Sequence, residues 1–284
     1  MEKLGYGWET LHARFPRLIY GAASGFGDTG PYSKRAAYDM VVQGMGGVLS
    51  MTGYPDQPPA RVGISIGDIT AGLYLTIGLN AALYNRTVTN LGSKIDIAML
   101  DCQVAILEDA IPAYDKTGEI PGPLGTRHPS IAPFQSFQAK DASIIIAAGN
   151  DHLFTLMTQA LDRADLVTDE RFKTNELRHE NIALLQKEME LTLGTKLVSE
   201  WIDALNEKGV PCAPINDIPH VIANPQVNAR NMIIEVDDPV IGKVKTSGNP
   251  VKVVGAIDET SLRPSPELDA DRIAILAEFM GIGK

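Results

Sequence analysis

Apolar residues at Ile69, Leu73, Ile77, Ala81 and Tyr84 recur in steps of three and four, which lines them along one face of a helix. Asp68 stands just before this run, at the N-cap position from which an aspartate accepts hydrogen bonds from the first free amides. Upstream, residues 1–15 read as a helical remnant and residues 17–23 as a strand that runs into Gly25, Gly27, Gly30 and Pro31, which is turn chemistry. Residues 36–49 keep helical spacing, but Gly44, Gly46 and Gly47 interrupt it and predict a helix end packed closely on other backbone. Ile95, Ile97 and Met99 alternate as a strand within residues 94–100, and residues 101–113 predict a helix ended by Pro112.

Four prolines and three glycines make residues 118–133 a linker or exposed loop, where a domain boundary is expected. Beyond it, residues 134–138 and 143–148 predict a hairpin around Asp141. Residues 152–161, 177–193 and 196–208 are amphipathic helices, the last closed by Gly209. Residues 210–215 are extended, residues 233–236 and 251–254 alternate as short strands around Gly242 and Gly248, and residues 269–280 form a closing helix.

At 284 residues, 44% of them hydrophobic and 21% charged, the chain holds enough apolar material for a sizeable core. Lys and Arg number 25 against 35 Asp and Glu, and the net charge of -10 argues against nonspecific nucleic-acid or anionic-membrane binding. Cys102 and Cys212 lie far apart without a CxxC pair, so neither a disulfide framework nor a zinc site is indicated, and a reducing cytoplasm fits. The apolar run of residues 69–83, with Asn80 inside it and Asp68 before it, reads as too short and too polar for the about 20 residues of a membrane span.

Gly63-Ile64-Ser65-Ile66-Gly67 matches the nucleophile elbow G-x-S-x-G, with the required helix after it but a poor strand before it, where Pro58, Pro59 and Arg61 fall. The five histidines show no HxxxH or HExxH spacing, so metal catalysis is not expected, and only His128, in Arg127-His128-Pro129, sits in a loop of special residues. No GxGxxG or GxxxxGK[ST] pattern occurs. Lys34-Arg35 beside Tyr38-Asp39 is a small basic spot. Asp68 admits two readings: a plain helix cap, or a carboxylate kept ionised by the helix N-terminus and available as a nucleophile.

Ser24-Gly25-Phe26-Gly27 with Gly30-Pro31, Ala37-Tyr38-Asp39 with Gln43, Gly46-Gly47, Thr52-Gly53 and Gly67-Asp68 with Gly72 follow one another in a set order. Gly78, Ala81-Ala82-Leu83, Arg86, Asp96, Met99, Asp101, Arg127-His128-Pro129, Ala132-Pro133, Gly209-Val210-Pro211 and Ala213-Pro214 continue it. With these residues the chain resembles the class III CoA-transferase family (CaiB/BaiF), and within it the formyl-CoA transferase-like members, over most of its length. The resemblance implies an α/β fold in which a Rossmann-like large domain is joined to a smaller α+β domain. It divides the chain into residues 1–115 of the large domain, a linker at 116–132, the small domain at 133–236, and a return linker and C-terminal helix at 237–284. Family members usually carry a further first half before the point matching Met1, so an N-terminally truncated copy is expected.

The resemblance also implies CoA transfer between an acyl-CoA and a carboxylic acid, with coenzyme A as co-substrate and no permanently bound cofactor. Asp68 matches the aspartate that forms the covalent intermediate. Lys34, Arg35, Tyr38 and Asp39 match the CoA side of the site, and Gly125, Arg127 and His128 the loop that covers the substrate. That loop lacks the polyglycine run of oxalate-linked members, so oxalate is not the expected acceptor. Related 2-methylacyl-CoA racemases carry a histidine where Tyr38 stands, which leaves racemisation as an alternative, alongside a noncatalytic paralogue that acts as a binding partner. The family forms interlocked homodimers.

Overall fold

A computed structural model describes residues 1–256, 258, 260 and 262–281. The chain begins with a short 3-10 turn at Glu2–Leu4, then α1 (Trp8–Arg14), β1 (Tyr20–Ser24), α2 (Asp39–Met45), α3 (Val48–Met51), α4 (Ile66–Thr89), β2 (Lys94–Ala98), α5 (Met99–Ala105) and α6 (Ala110–Thr117). Next come β3 (Phe134–Gln138), β4 (Ser143–Ala147), α7 (Asp151–Ala160), α8 (Asp165–Thr168), α9 (Asn175–Glu180), α10 (Ile182–Leu193), α11 (Val198–Glu207) and β5 (Cys212–Pro214). The described chain closes with α12 (Ile218–Ala223), α13 (Pro225–Ala229), β6 (Ile233–Asp238), β7 (Gly242–Ser247) and α14 (Arg272–Met280).

The first unit is a β–α–β crossover. Strands β1 and β2 pair in parallel, Tyr20 opposite Lys94 and Ser24 opposite Ala98, and α4 makes the connection between them and packs on both. Close approach needs missing side chains at two places. A Cβ at Gly21 would stand 3.1 Å from Leu75 Cδ1, and one at Gly78 would stand 2.8 Å from Ile95 Cγ2. The helix is 24 residues long, longer than the apolar run suggested, because Thr87, Val88 and Thr89 carry it to a left-handed cap at Asn90. By length and composition alone it is long and apolar enough to cross a membrane, which corrects the sequence reading on both counts. Leu73, Ile77 and Tyr84 face away from the sheet, each more than half exposed.

Two further sequence readings shift. Pro112 does not end a helix but lies in the first turn of α6, where no backbone amide donor is required of it. The strand predicted at residues 251–254 is absent; β6 pairs instead with β7, whose Lys243, Lys245 and Thr246 give no apolar alternation because both faces are exposed. The interrupted helix of residues 36–49 resolves into α2 and α3, broken at Gly47 with φ of 86°.

The largest buried cluster lies in the second unit. Strand β4 is central, antiparallel to β3 and β5. Phe137, Ile144 and Ile146 of the strands meet Phe154 and Met157 of α7, Leu185 and Met189 of α10, and Trp201 and Leu205 of α11. The strands alternate buried and partly exposed residues, as a sheet covered on one face by helices requires.

Candidate active site

Helix α4 begins at Ile66, with Ser65 as its N-cap and no side-chain cap from Ser65. Asp68 is therefore the third helical residue, not the cap. The capping function is performed from across the fold: Asp39, at the start of α2, accepts a hydrogen bond from the Gly67 amide through Oδ1 at 2.8 Å. Its other oxygen accepts from Gln43 Nε2 at 2.8 Å, and Gln43 Oε1 in turn accepts from the Val62 amide at 3.0 Å. Asp39 and Gln43 are both buried, and together they clamp the segment between Val62 and Gly67. Asp68, relieved of capping, stays exposed at the amide end of a long helix, where the macrodipole favours negative charge.

Gly67 is needed at this clamp. A Cβ there would lie 2.8 Å from Val42 Cγ2 and 3.0 Å from Asp39 Oδ1. Asp39→Asn keeps the size but turns one acceptor into an NH2 that faces either the Gly67 amide or the Gln43 amide, both donors. We expect this variant to lose about 1–3 kcal/mol in chemical denaturation and to slow turnover, while adding Gln43→Glu, whose carboxylate accepts from both the new NH2 and the Val62 amide, restores part of the stability.

The other sequence-predicted residues distribute as follows. Tyr38 is the α2 N-cap residue and is 84% exposed, on the same turn as Asp39 but directed outward. Asp39, expected to line the CoA site, is instead turned inward with both oxygens engaged, so its contribution is to position the helix that carries Asp68. Lys34 is exposed. The Arg35 guanidinium lies over the rings of Tyr32 at 4.6 Å and Phe26 at 5.3 Å, which orients it by cation–π attraction.

Gly125 has φ of 66°, and its amide donates to Gly53 O at 2.8 Å. The Tyr54 ring packs so closely there that a Cβ at Gly125 would lie 2.8 Å from it. The turn at Thr52 and Gly53 leads, through the bond from the Ala60 amide to Thr52 O, into the clamped segment before Asp68. The loop of residues 125–128 and the α4 N-terminus thus lean on one turn. No strand precedes Ser65, as residues 59–62 lack regular structure, and the elbow reading loses the strand-to-helix geometry that exposes a nucleophilic serine.

A family model described as CoA-transferase family III matches residues 1–272. The chain belongs to that family. Acetyl-CoA:oxalate CoA-transferase of Acetobacter aceti is 40% identical to it over 280 residues, covering 98% of this chain and 71% of the relative. Succinyl-CoA–D-citramalate CoA-transferase of Chloroflexus aurantiacus is 37% identical over 250 residues, covering 86% of this chain and 61% of the relative. A CAIB/BAIF family protein from Brucella suis has the same fold, with a TM-score of 0.83 and 38% identity over 98% of this chain and 72% of that one. The α/β architecture expected from the family resemblance is the one found.

The sequence marks Asp39 and Gln43 without showing their partnership. The spacing of four on one helix was the available signal, since it stacks the two side chains on one face, but their targets at Val62 and Gly67 come from a different segment.

Proposed function

We propose that this chain takes part in transfer of CoA between an acyl-CoA and a carboxylic acid, with Asp68 as the nucleophile. The observation that carries the reading is the division of labour at α4: Asp39 caps the first turn, and Asp68 is left as an exposed carboxylate with no structural duty. Membership in the family and the transferase names of its relatives support the reaction class.

Asp68 Oδ attacks the thioester carbonyl of the donor, the C–S bond breaks, and CoA leaves as thiolate from a mixed anhydride. The thiolate attacks the aspartyl carbonyl, the donor acid departs as carboxylate, and an aspartyl-CoA thioester remains. The acceptor carboxylate attacks that thioester, CoA leaves again, and the new anhydride is opened at the acceptor's carbonyl by the thiolate, which regenerates Asp68. Nothing is oxidised and no water enters, so the site must exclude water from the anhydride. The loop of residues 125–128, held against the Thr52–Gly53 turn, supplies a cover on one side. Lys34 and Arg35 offer charge to CoA phosphates.

Acids named for the two relatives, oxalate and D-citramalate, each carry two carboxylates, so dicarboxylic acids form the acceptor panel. Oxalate belongs in it despite the absent polyglycine run. Incubation with acetyl-CoA or succinyl-CoA, trapping with hydroxylamine and peptide mapping by mass spectrometry test the reading. A hydroxamate on Asp68 is expected; a modification elsewhere, or none, would overturn it.

A further inference from the structure

Behind the substrate loop lies a cavity of about 220 Å³ whose lining combines Arg127, His128, His179 and Gln135 with apolar Ile131 and Ile182. Arg127 is half-buried, and its Nε donates to Leu124 O at 3.4 Å. Among the described residues no carboxylate pairs with it. A partly desolvated guanidinium without a counter-charge is costly, and that cost is recovered when an anion binds.

His128 is oriented as a donor. Its Nδ1 accepts from the Ser130 and Ile131 amides, each at 3.2 Å, which leaves the ring proton on Nε2. Its ring stacks on Phe134 with centroids 5.2 Å apart. The loop itself is fixed from α9: Asn175 accepts from the Ala132 amide and donates to Ser130 O, and Arg178 Nε donates to Ala132 O at 2.8 Å. These donors are set before any ligand arrives, which reduces the ordering cost of binding.

We propose that this cavity binds the unreacted carboxylate of a dicarboxylic acceptor, with Arg127 as its ion pair and His128 Nε2 as a second donor. A planar guanidinium matches a carboxylate in two parallel hydrogen bonds, and Ile131 and Ile182 suit a short carbon chain between the two acid groups. The loop holding these donors is bonded through Gly125 to Gly53, in the turn that leads into the segment before Asp68. This assignment rests on the CoA-transfer reading.

The test titrates the wild-type chain calorimetrically with glutarate and with its neutral dimethyl ester, then repeats it on Arg127→Met, Arg127→Lys, His128→Asn and His128→Gln. Losing one charge-assisted contact is expected to weaken glutarate about 10- to 100-fold in Arg127→Met and leave the ester unchanged. His128→Asn keeps the acceptor for the loop amides and loses the Nε2 donor, so it weakens glutarate more than His128→Gln. Equal affinity of wild type for diacid and ester overturns the proposal and needs no variant. Asp68 labelling by acyl-CoA, which requires no acceptor, separates the two readings. Labelling without diacid preference sinks the cavity assignment alone, whereas diacid preference without labelling sinks the transfer reading and the acceptor role with it.

Discussion

Asp68→Asn is expected to lower the CoA-transfer rate by roughly 10⁴-fold or more, because an amide cannot form the anhydride through which the acyl group passes. The substitution preserves side-chain size at the third position of α4, and the cap from Asp39 to the Gly67 amide is untouched. Its effect on stability is limited to the lost charge at the helix N-terminus, about 1 kcal/mol or less. A steady-state assay with acetyl-CoA and a dicarboxylic acid, read beside a denaturation curve, separates these quantities. Full transfer activity in Asp68→Asn would remove Asp68 from the chemistry. A parallel loss of activity and folding would assign Asp68 the capping role that the geometry gives to Asp39.

Arg178→Ala is expected to cost about 3–5 kcal/mol of stability, the largest structural effect of a single substitution here. Arg178 is fully buried, yet it carries a charge. Its Nε donates to Ala132 O at 2.8 Å, Nη1 to Phe172 O at 3.1 Å and Nη2 to Asp151 Oδ1 at 2.6 Å, and the guanidinium lies 4.4 Å over the Phe154 ring. Alanine orphans two buried carbonyls and leaves a cavity beside Phe154. Asp151 contributes less to the loss because its side chain is 72% exposed and water replaces the guanidinium. Urea unfolding measures the cost, and Arg178→Lys, which reaches fewer of the three acceptors, should fall between. Since Ala132 ends the loop that begins with Arg127 and His128, glutarate affinity should fall with stability in Arg178→Ala.

Local pattern was sufficient for most elements because their causes are local. The period of Ile69, Leu73 and Ile77 marks α4, the alternation of Ile95 and Ile97 marks β2, and Gly47 breaks the helix between α2 and α3 at a left-handed φ. Strand β7 escaped because its polar, wholly exposed residues are held by backbone pairing to β6 and by the Lys243–Glu235 ion pair, neither of which leaves an apolar period. The spacing over residues 177–193 predicts one continuous helix, and the break between α9 and α10 at Asn181 lacks a glycine or proline to announce it.

The site divides in the same way. The sequence by itself determined the α/β class and the family, and it marks Asp68 as the candidate nucleophile, since ordered glycines, prolines and carboxylates at fixed spacings are properties of the chain. Tertiary structure alone decided which aspartate caps α4 and which stands open. Asp39 and Asp68 are both acidic residues at helix starts, indistinguishable by propensity, and only the packing of α2 against α4 brings Asp39 onto the Gly67 amide. It likewise decided that Arg127 and His128 share a cavity with His179, 51 positions beyond His128, because loop geometry and the anchors on α9 depend on contacts far apart in sequence.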